Sequence, residues 1–302
     1  MFRPFPLLSM LLCSMTVGCG PGSSSGQTCM VNEDCASRFC RADGTCGPQE
    51  IDGGATDDAA DMDAPPSGVC TPNHDGSITQ AELPLMAGKM ARFRVATDAT
   101  FDTAGTPDGG GARRWDLTGA LANDADQALA LTSPAGTWWE ASFPTASYSA
   151  KLSASSELLG VFHVDANGLT LLGVVSPSGG STRTELEYDP PAKILALPLA
   201  EGDTWSSTST VSGVASGIVA AYTEIYASTV DKVGTMKTPY GEFPVLRVAT
   251  DLDRTSFGAP IASTRSFAWM AECFGSVANV SSQDFESSAE FDDPAEVRRI
   301  VP

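Results

Sequence analysis

Across residues 70–302 the chain repeats one local pattern, a short run rich in Val, Ile, Thr, Tyr and Trp followed by a turn signal. Side chains that are aromatic or branched at Cβ suit the pleated surface of a strand, and clusters of Gly, Pro, Asn and Asp interrupt it. Ten runs read as strands: 91–102, 137–143, 157–165, 168–175, 183–189, 204–213, 219–230, 243–253, 265–275 and 295–301. No long amphipathic helix interrupts them. Short connections make antiparallel pairing between neighbours the default. The expected fold class is mainly β, an antiparallel curved sheet closing toward an open barrel or a sandwich. Asp165-Ala166-Asn167-Gly168 should turn one hairpin, and Thr238-Pro239-Tyr240-Gly241 another, with Pro and Gly where a type I turn favours them. Alternation along 265–275 puts Phe267, Trp269, Ala271 and Cys273 on one, inward face and Ser266, Ala268, Met270 and Glu272 on the other.

The cysteines divide the rest of the chain. Of eight, Cys13 falls inside an apolar leader that runs from about Leu7 to Val17 behind the single charge of Arg3. That leader reads as a secretory signal over 1–18, too short for a spanning helix of about 20 apolar residues. Thr16-Val17-Gly18-Cys19 resembles the lipobox of bacterial lipoproteins, which implies that Cys19 is the lipidated first residue. Thr16 stands where leucine is usual. Six cysteines remain, an even number in an exported chain, which argues for disulfides. Cys29, Cys35, Cys40 and Cys46 crowd into residues 29–46, too short a piece to hold its shape without two bridges, and their pairing has three possibilities. Their gaps do not fit a zinc knuckle. Cys70 and Cys273 are left to pair with each other and close a loop of about 200 residues.

A Gly/Ser tether spans 19–28. Residues 47–69 carry six acidic side chains, no basic ones and almost no large apolar groups, the composition of a disordered acidic linker. The domain of residues 70–302 follows. Over the whole chain, 37 acidic residues face 18 basic ones, a net charge of −19. This excludes a nucleic-acid partner, which needs a basic patch to neutralise phosphates. It favours solubility and attraction of cations.

The domain opens with a loop, 70–83, in which Asn73, Asp75, Ser77, Thr79 and Glu82 fall at the spacings of calcium ligands around Gly76. The loop resembles an EF-hand or dockerin-type loop, and the resemblance implies a weak calcium site. Thr71 replaces its leading carboxylate, and Pro84 stops the following helix. A plain turn explains the same residues, with Thr79 and Glu82 as a capping box.

Three further resemblances extend this. Residues 29–46, through "NEDC", "FC" and "DGTC", resemble the cysteine-rich N-terminal region of Dickkopf-type secreted proteins. Within 92–251, "RRWDLTGAL", "FPTA", "GLTLLGVVSP", "YDPPAKILALPLAEGDTW" and "GTMKTPYGEFPVLRV" resemble an uncharacterised family of exported bacterial β-rich domains. The arrangement as a whole resembles surface lipoproteins of predatory soil bacteria. These resemblances imply export to the outer membrane or surface of a Gram-negative cell, and no activity.

The search for catalytic groups is short. His74 and His163 are the two histidines, and each has a structural explanation. A nucleophile elbow and a Ser-x-x-Lys pair are absent; Ser147 and Lys151 are one residue too far apart. "GTPDGGGA" lacks the Lys-Ser/Thr of a phosphate loop. Glu185 and Glu187 share a strand face, whereas glycosidase carboxylates face each other across a cleft. The expectation is a lipid-anchored, non-catalytic binding or interaction module whose partner is a protein or an apolar ligand. The alternative is a β-cup carrying an apolar ligand, for which the Ala- and Ser-rich 211–229 leaves room; a hydrolase comes third.

Overall fold

The computed structural model describes residues 70–97 and 99–302. The expected lipidation at Cys19, the four-cysteine segment and the acidic linker lie outside these residues. The described residues form sixteen strands: β1 (Ser77–Ile78), β2 (Met90–Thr97), β3 (Thr106–Pro107), β4 (Arg113–Asp116), β5 (Ala125–Ala130), β6 (Tyr148–Lys151), β7 (Leu159–Asp165), β8 (Gly168–Val175), β9 (Glu185–Ala196), β10 (Leu199–Ala200), β11 (Thr204–Ala215), β12 (Ile218–Lys237), β13 (Glu242–Ser256), β14 (Ala259–Ala271), β15 (Gly275–Ser281) and β16 (Glu296–Val301). Fourteen form one sheet, in the order β5-β2-β16-β15-β14-β13-β12-β11-β9-β8-β7-β6 with β3 and β4 as a branch. Its free edges meet. Thr132, just beyond β5, and Ser149 of β6 exchange two backbone hydrogen bonds of 2.8 Å, so the sheet nearly closes into a barrel.

Both expected hairpins form. Asp165 pairs with Gly168 across a two-residue turn. Thr238 and Gly241 exchange backbone hydrogen bonds of 2.8 and 3.1 Å between β12 and β13. Two expectations need correction. Residues 137–143 are not a strand. They hold a short 3-10 turn, Glu140–Ser142, because Trp139 and Phe143 fold down onto Val161 and Val175 rather than pairing with a neighbour. The strand expected over 265–275 ends at Ala271. Cys273 lies in the following turn with a φ of 67°, so it belongs to neither strand face. One pairing also departs from the antiparallel rule: β4 runs parallel to the far end of β12. Gly234 permits it, since a Cβ there would sit 1.8 Å from the Arg113 carbonyl oxygen.

Two prolines are absorbed within a strand. Pro190 and Pro191 lie in β9 where its pairing with β8 jumps from Leu171↔Ala192 to Gly173↔Glu187. A bulge leaves the ladder positions that proline cannot fill unpaired.

The largest apolar cluster packs Phe267, Trp269 and Ala271 of β14 against Trp115 of β4 and against Phe101 and Phe291 from the long connections. Trp269 is fully buried, and its ring centre lies 5.5 Å from that of Trp115 and 5.9 Å from that of Phe101, both edge-on. Such edge-to-face contacts add about 0.5–1.5 kcal/mol each beyond burial. A second cluster seats Ile78 and Leu83 of the opening segment against Val230, Leu246, Val248 and Met270. This apolar seat fixes the opening loop to the end of the barrel.

Candidate functional site

The opening loop is a chain of turns. Asp75 Oδ1 accepts the Ser77 amide at 2.8 Å, Asn73 Oδ1 accepts the Asp75 amide at 2.9 Å, and Asp75 Oδ2 accepts the Asn73 side-chain amide at 3.2 Å. Glu82 Oε2 accepts both the amide and the hydroxyl of Thr79 at 2.8 Å, the capping box expected of this spacing. Three of the side chains that the calcium resemblance assigns to metal, Asn73, Asp75 and Glu82, thus hold the loop's own N–H or O–H groups, and the Thr79 hydroxyl donates to Glu82. Among the described residues no group of three or more His, Cys, Asp or Glu is arranged to hold a metal ion.

The loop is tied to the turn after β14 in three ways. Cys70 and Cys273 form a disulfide with a Cα–Cα distance of 5.4 Å. The Cys273 amide donates to the Glu82 carbonyl at 2.7 Å. The His74 amide donates to Glu272 Oε2 at 3.1 Å. His74, with a φ of 56°, holds the bent backbone that this contact needs.

These ties enclose a cleft. The β12–β13 turn and the β14–β15 turn lie at the same end of the barrel, and the opening loop crosses beside them. Between the three is a cavity of about 860 Å³. Ligand pockets commonly run from about 300 to 1,000 Å³. Its apolar wall comes from Ile78 of the loop, Val233 of β12, Val245 and Leu246 of β13, and Met270 of β14. Its rim carries three aromatic rings that pack on one another. Phe243 and Phe274 have centres 4.8 Å apart, and Tyr240 lies 6.0 Å from Phe243 and 5.6 Å from Phe274. Among the described residues its charged lining is acidic: Glu201, Glu242 and Glu272, with His74 beside them and no lysine or arginine. The Glu272 side chain is 12% exposed.

The other residues singled out in the sequence stand apart from this cleft. The His163 ring nitrogen Nδ1 lies 2.7 Å from the Thr145 carbonyl. Lys151 pairs with Glu157, and the Ser147 hydroxyl accepts the Val164 amide. Glu185 accepts from Ser142 and Arg183, and these contacts hold its carboxyl below the usual range, the Ser142 bond foremost. Glu187 is exposed. "GTPDGGGA" spans the tight connection from β3 to β4, closed by mutual backbone bonds of Asp108, Gly109 and Ala112.

Buried charge concentrates elsewhere and ties the sheet to its coverings. Arg247 is fully buried and donates to Asp231, Glu290 and the Thr103 carbonyl, with its Cζ 4.1 Å from the Phe267 ring centre. Glu224 is fully buried and accepts from Arg254 at 2.8 Å and from the Tyr226 hydroxyl at 2.7 Å. Desolvation pushes the Tyr226 hydroxyl well above its ordinary range, and the neighbouring Glu224 charge adds to the shift. Arg299, also buried, grips both oxygens of Asp124. Lys232 also pairs with Asp231 and Glu290, so each set is charge-balanced.

Only the turn at 238–241 and the opening loop pointed toward the cleft in the sequence. Comparison with family models, with curated proteins and with solved structures gives no match.

Proposed function

We propose that this chain is an exported, lipid-anchored, non-catalytic binding module, and that its ligand is a small molecule with an apolar body held in the cleft beside the Cys70–Cys273 bridge. The observation that carries this is the cleft itself: a concave space of about 860 Å³, apolar in its wall, with a few polar groups at its rim. That combination is the usual form of a small-molecule site. It favours the apolar-ligand form of binding over a flat protein contact.

The non-catalytic part rests on what faces the cleft. A nucleophile activated by a base needs a hydrogen bond of about 2.6–3.2 Å between them. Among the described residues the His74 ring makes no hydrogen bond to a side chain, and its nearest carboxylate contact, to Glu272, is 4.0 Å. The anchored part rests on the lipobox-like Thr16–Cys19, the tether and the acidic linker, which would let the domain range from an outer membrane or cell surface. Labelling cells with a palmitate analogue should mark the mature protein and fail on Cys19→Ser. In this reading the loop 70–83 serves as the turn that walls the cleft, and calcium has no step.

A neutral solvatochromic dye tests the cleft. Gly241 is the position to fill, because a Cβ there meets nothing within 4 Å. The full chain should bind the dye saturably at one site, and Gly241→Trp should weaken it by about tenfold or more at unchanged melting temperature. Absence of saturable binding, or equal binding by the filled variant, would refute the reading.

A further inference from the structure

Resting on that reading, we propose that the ligand of the cleft is an organic cation, an ammonium group carried on an apolar body. Two independent features of the cleft lead there. The first is charge. Among the described residues Glu201, Glu242 and Glu272 line it, and no lysine or arginine does. Glu242 is partly neutralised by Lys237 at 3.3 Å, outside the lining. Among the described residues Glu201 and Glu272 have no lysine or arginine within ion-pair distance. Among the described residues Glu272, mostly buried, accepts one hydrogen bond, from the His74 amide, and has the His74 ring 4.0 Å away as its only basic neighbour, in place of the lysine or arginine that would give it a permanent counter-charge. The fully buried charges described above each have a guanidinium–carboxylate partner: Arg247 has Asp231 and Glu290, Glu224 has Arg254, and Arg299 has Asp124. A mostly buried carboxylate at an apolar wall is costly unless paired, and the cleft is where the missing partner would fit.

The second feature is aromatic. Tyr240, Phe243 and Phe274 gather at the rim of the same cleft. Ring faces attract cations, most strongly where water is excluded, and groups of rings are a recurring way to hold quaternary ammonium groups. An anionic ligand meets three repelling carboxylates here. A neutral one leaves the mostly buried Glu272 with no cation beyond the His74 ring. The domain's overall acidity adds to the attraction of a cation at long range.

The test uses three ligands of similar body: benzyltrimethylammonium, benzyl alcohol and phenylacetate, titrated calorimetrically into the full chain. The cation should bind about tenfold or more tighter than the alcohol, and phenylacetate weakest. Raising salt from about 50 to 500 mM should weaken the cation alone. Glu272→Gln keeps an acceptor for the His74 amide and removes the charge. It should cost the cation about five- to tenfold while leaving the alcohol unchanged. Tyr240→Ala, at a half-exposed position, should weaken the cation more than the alcohol. Equal binding of cation and alcohol, or a Glu272→Gln variant that binds the cation as well as the parent, would overturn the inference while leaving an apolar cleft standing. If none of the three ligands binds and the neutral dye also fails, the cleft reading falls with it.

Discussion

Cys70 and Cys273 are bonded across a sequence separation of 203, and the bond joins the first described residue to the turn that walls the cleft. The opening segment has little structure of its own: a two-residue strand paired with β10 and one short 3-10 turn. Its position depends on this bridge, on the apolar seat of Ile78 and Leu83, and on two hydrogen bonds to Glu272 and Cys273. By loop entropy a closure of this length contributes up to about 4–5 kcal/mol. The double variant Cys70→Ser, Cys273→Ser should lose much of that in denaturant unfolding. It should also lose dye binding, since one wall of the cleft is freed. Peptide mapping without reductant should recover the two cysteines in one cross-linked pair.

The pentapeptide "RVATD" occurs twice and provides a matched comparison. Arg94, on β2, is exposed enough to make only a surface pair with Asp126. Arg247, on β13, is fully buried among Asp231, Glu290 and the Thr103 carbonyl. Breaking a buried pair by removing one partner costs about 3–5 kcal/mol, whereas a surface pair is worth about 0–1. Arg247→Met should therefore destabilise severely and Arg94→Met hardly at all, measured by urea unfolding of both.

Glu290 sets an acid limit. Burial raises its pKa, but hydrogen bonds from Arg247 and Lys232, with the Arg247 charge, outweigh burial and bring it from 4.5 to about 2. Because the folded value lies below the unfolded one, the contribution is complete above about pH 4.5 and is lost as pH falls toward 2. Unfolding free energy should fall through that window. In Glu290→Gln the slope there should be shallower, with lower stability at neutral pH. A parent and variant with the same slope would show that other carboxylates carry the acid sensitivity.

The opening loop gives a fourth outcome. Asp75→Ala removes the acceptor for the Ser77 amide, worth about 0.5–1.5 kcal/mol. The melting temperature should drop by the same amount with calcium and with chelator, because the side chain serves the turn. A drop seen only with calcium would restore the metal site that the spacing suggests.

Much of the barrel was legible because strands announce themselves locally. β8 matches its expected 168–175 at both ends, since Gly168 turns the chain and Ser176-Pro177-Ser178-Gly179 stops it. The misreadings share a cause. In 137–143 the aromatic content that suits a strand is used to cover Val161 and Val175, a tertiary choice with no local sign. At Cys273 the alternation runs on unbroken past the end of β14, because Glu272-Cys273-Phe274 turns without a Gly, Pro or Asn until Gly275. The cleft was least legible. Its wall joins residues near 74–78, 233–246 and 270–274, which no spacing rule connects. Tyr240 was visible only as a turn residue, and Glu272 only as the polar side of a strand. The partners of the buried Arg247 come from Thr103, Asp231 and Glu290, and this is why one copy of "RVATD" could not be told from the other.

The central claim, that the cleft holds a small ligand, is tested most directly by native mass spectrometry of the full chain after mild extraction from its producing cells. The parent should carry an added mass that dissociates on activation, and Gly241→Trp should carry none. A parent with no added mass, or the same adduct on both proteins, would contradict it.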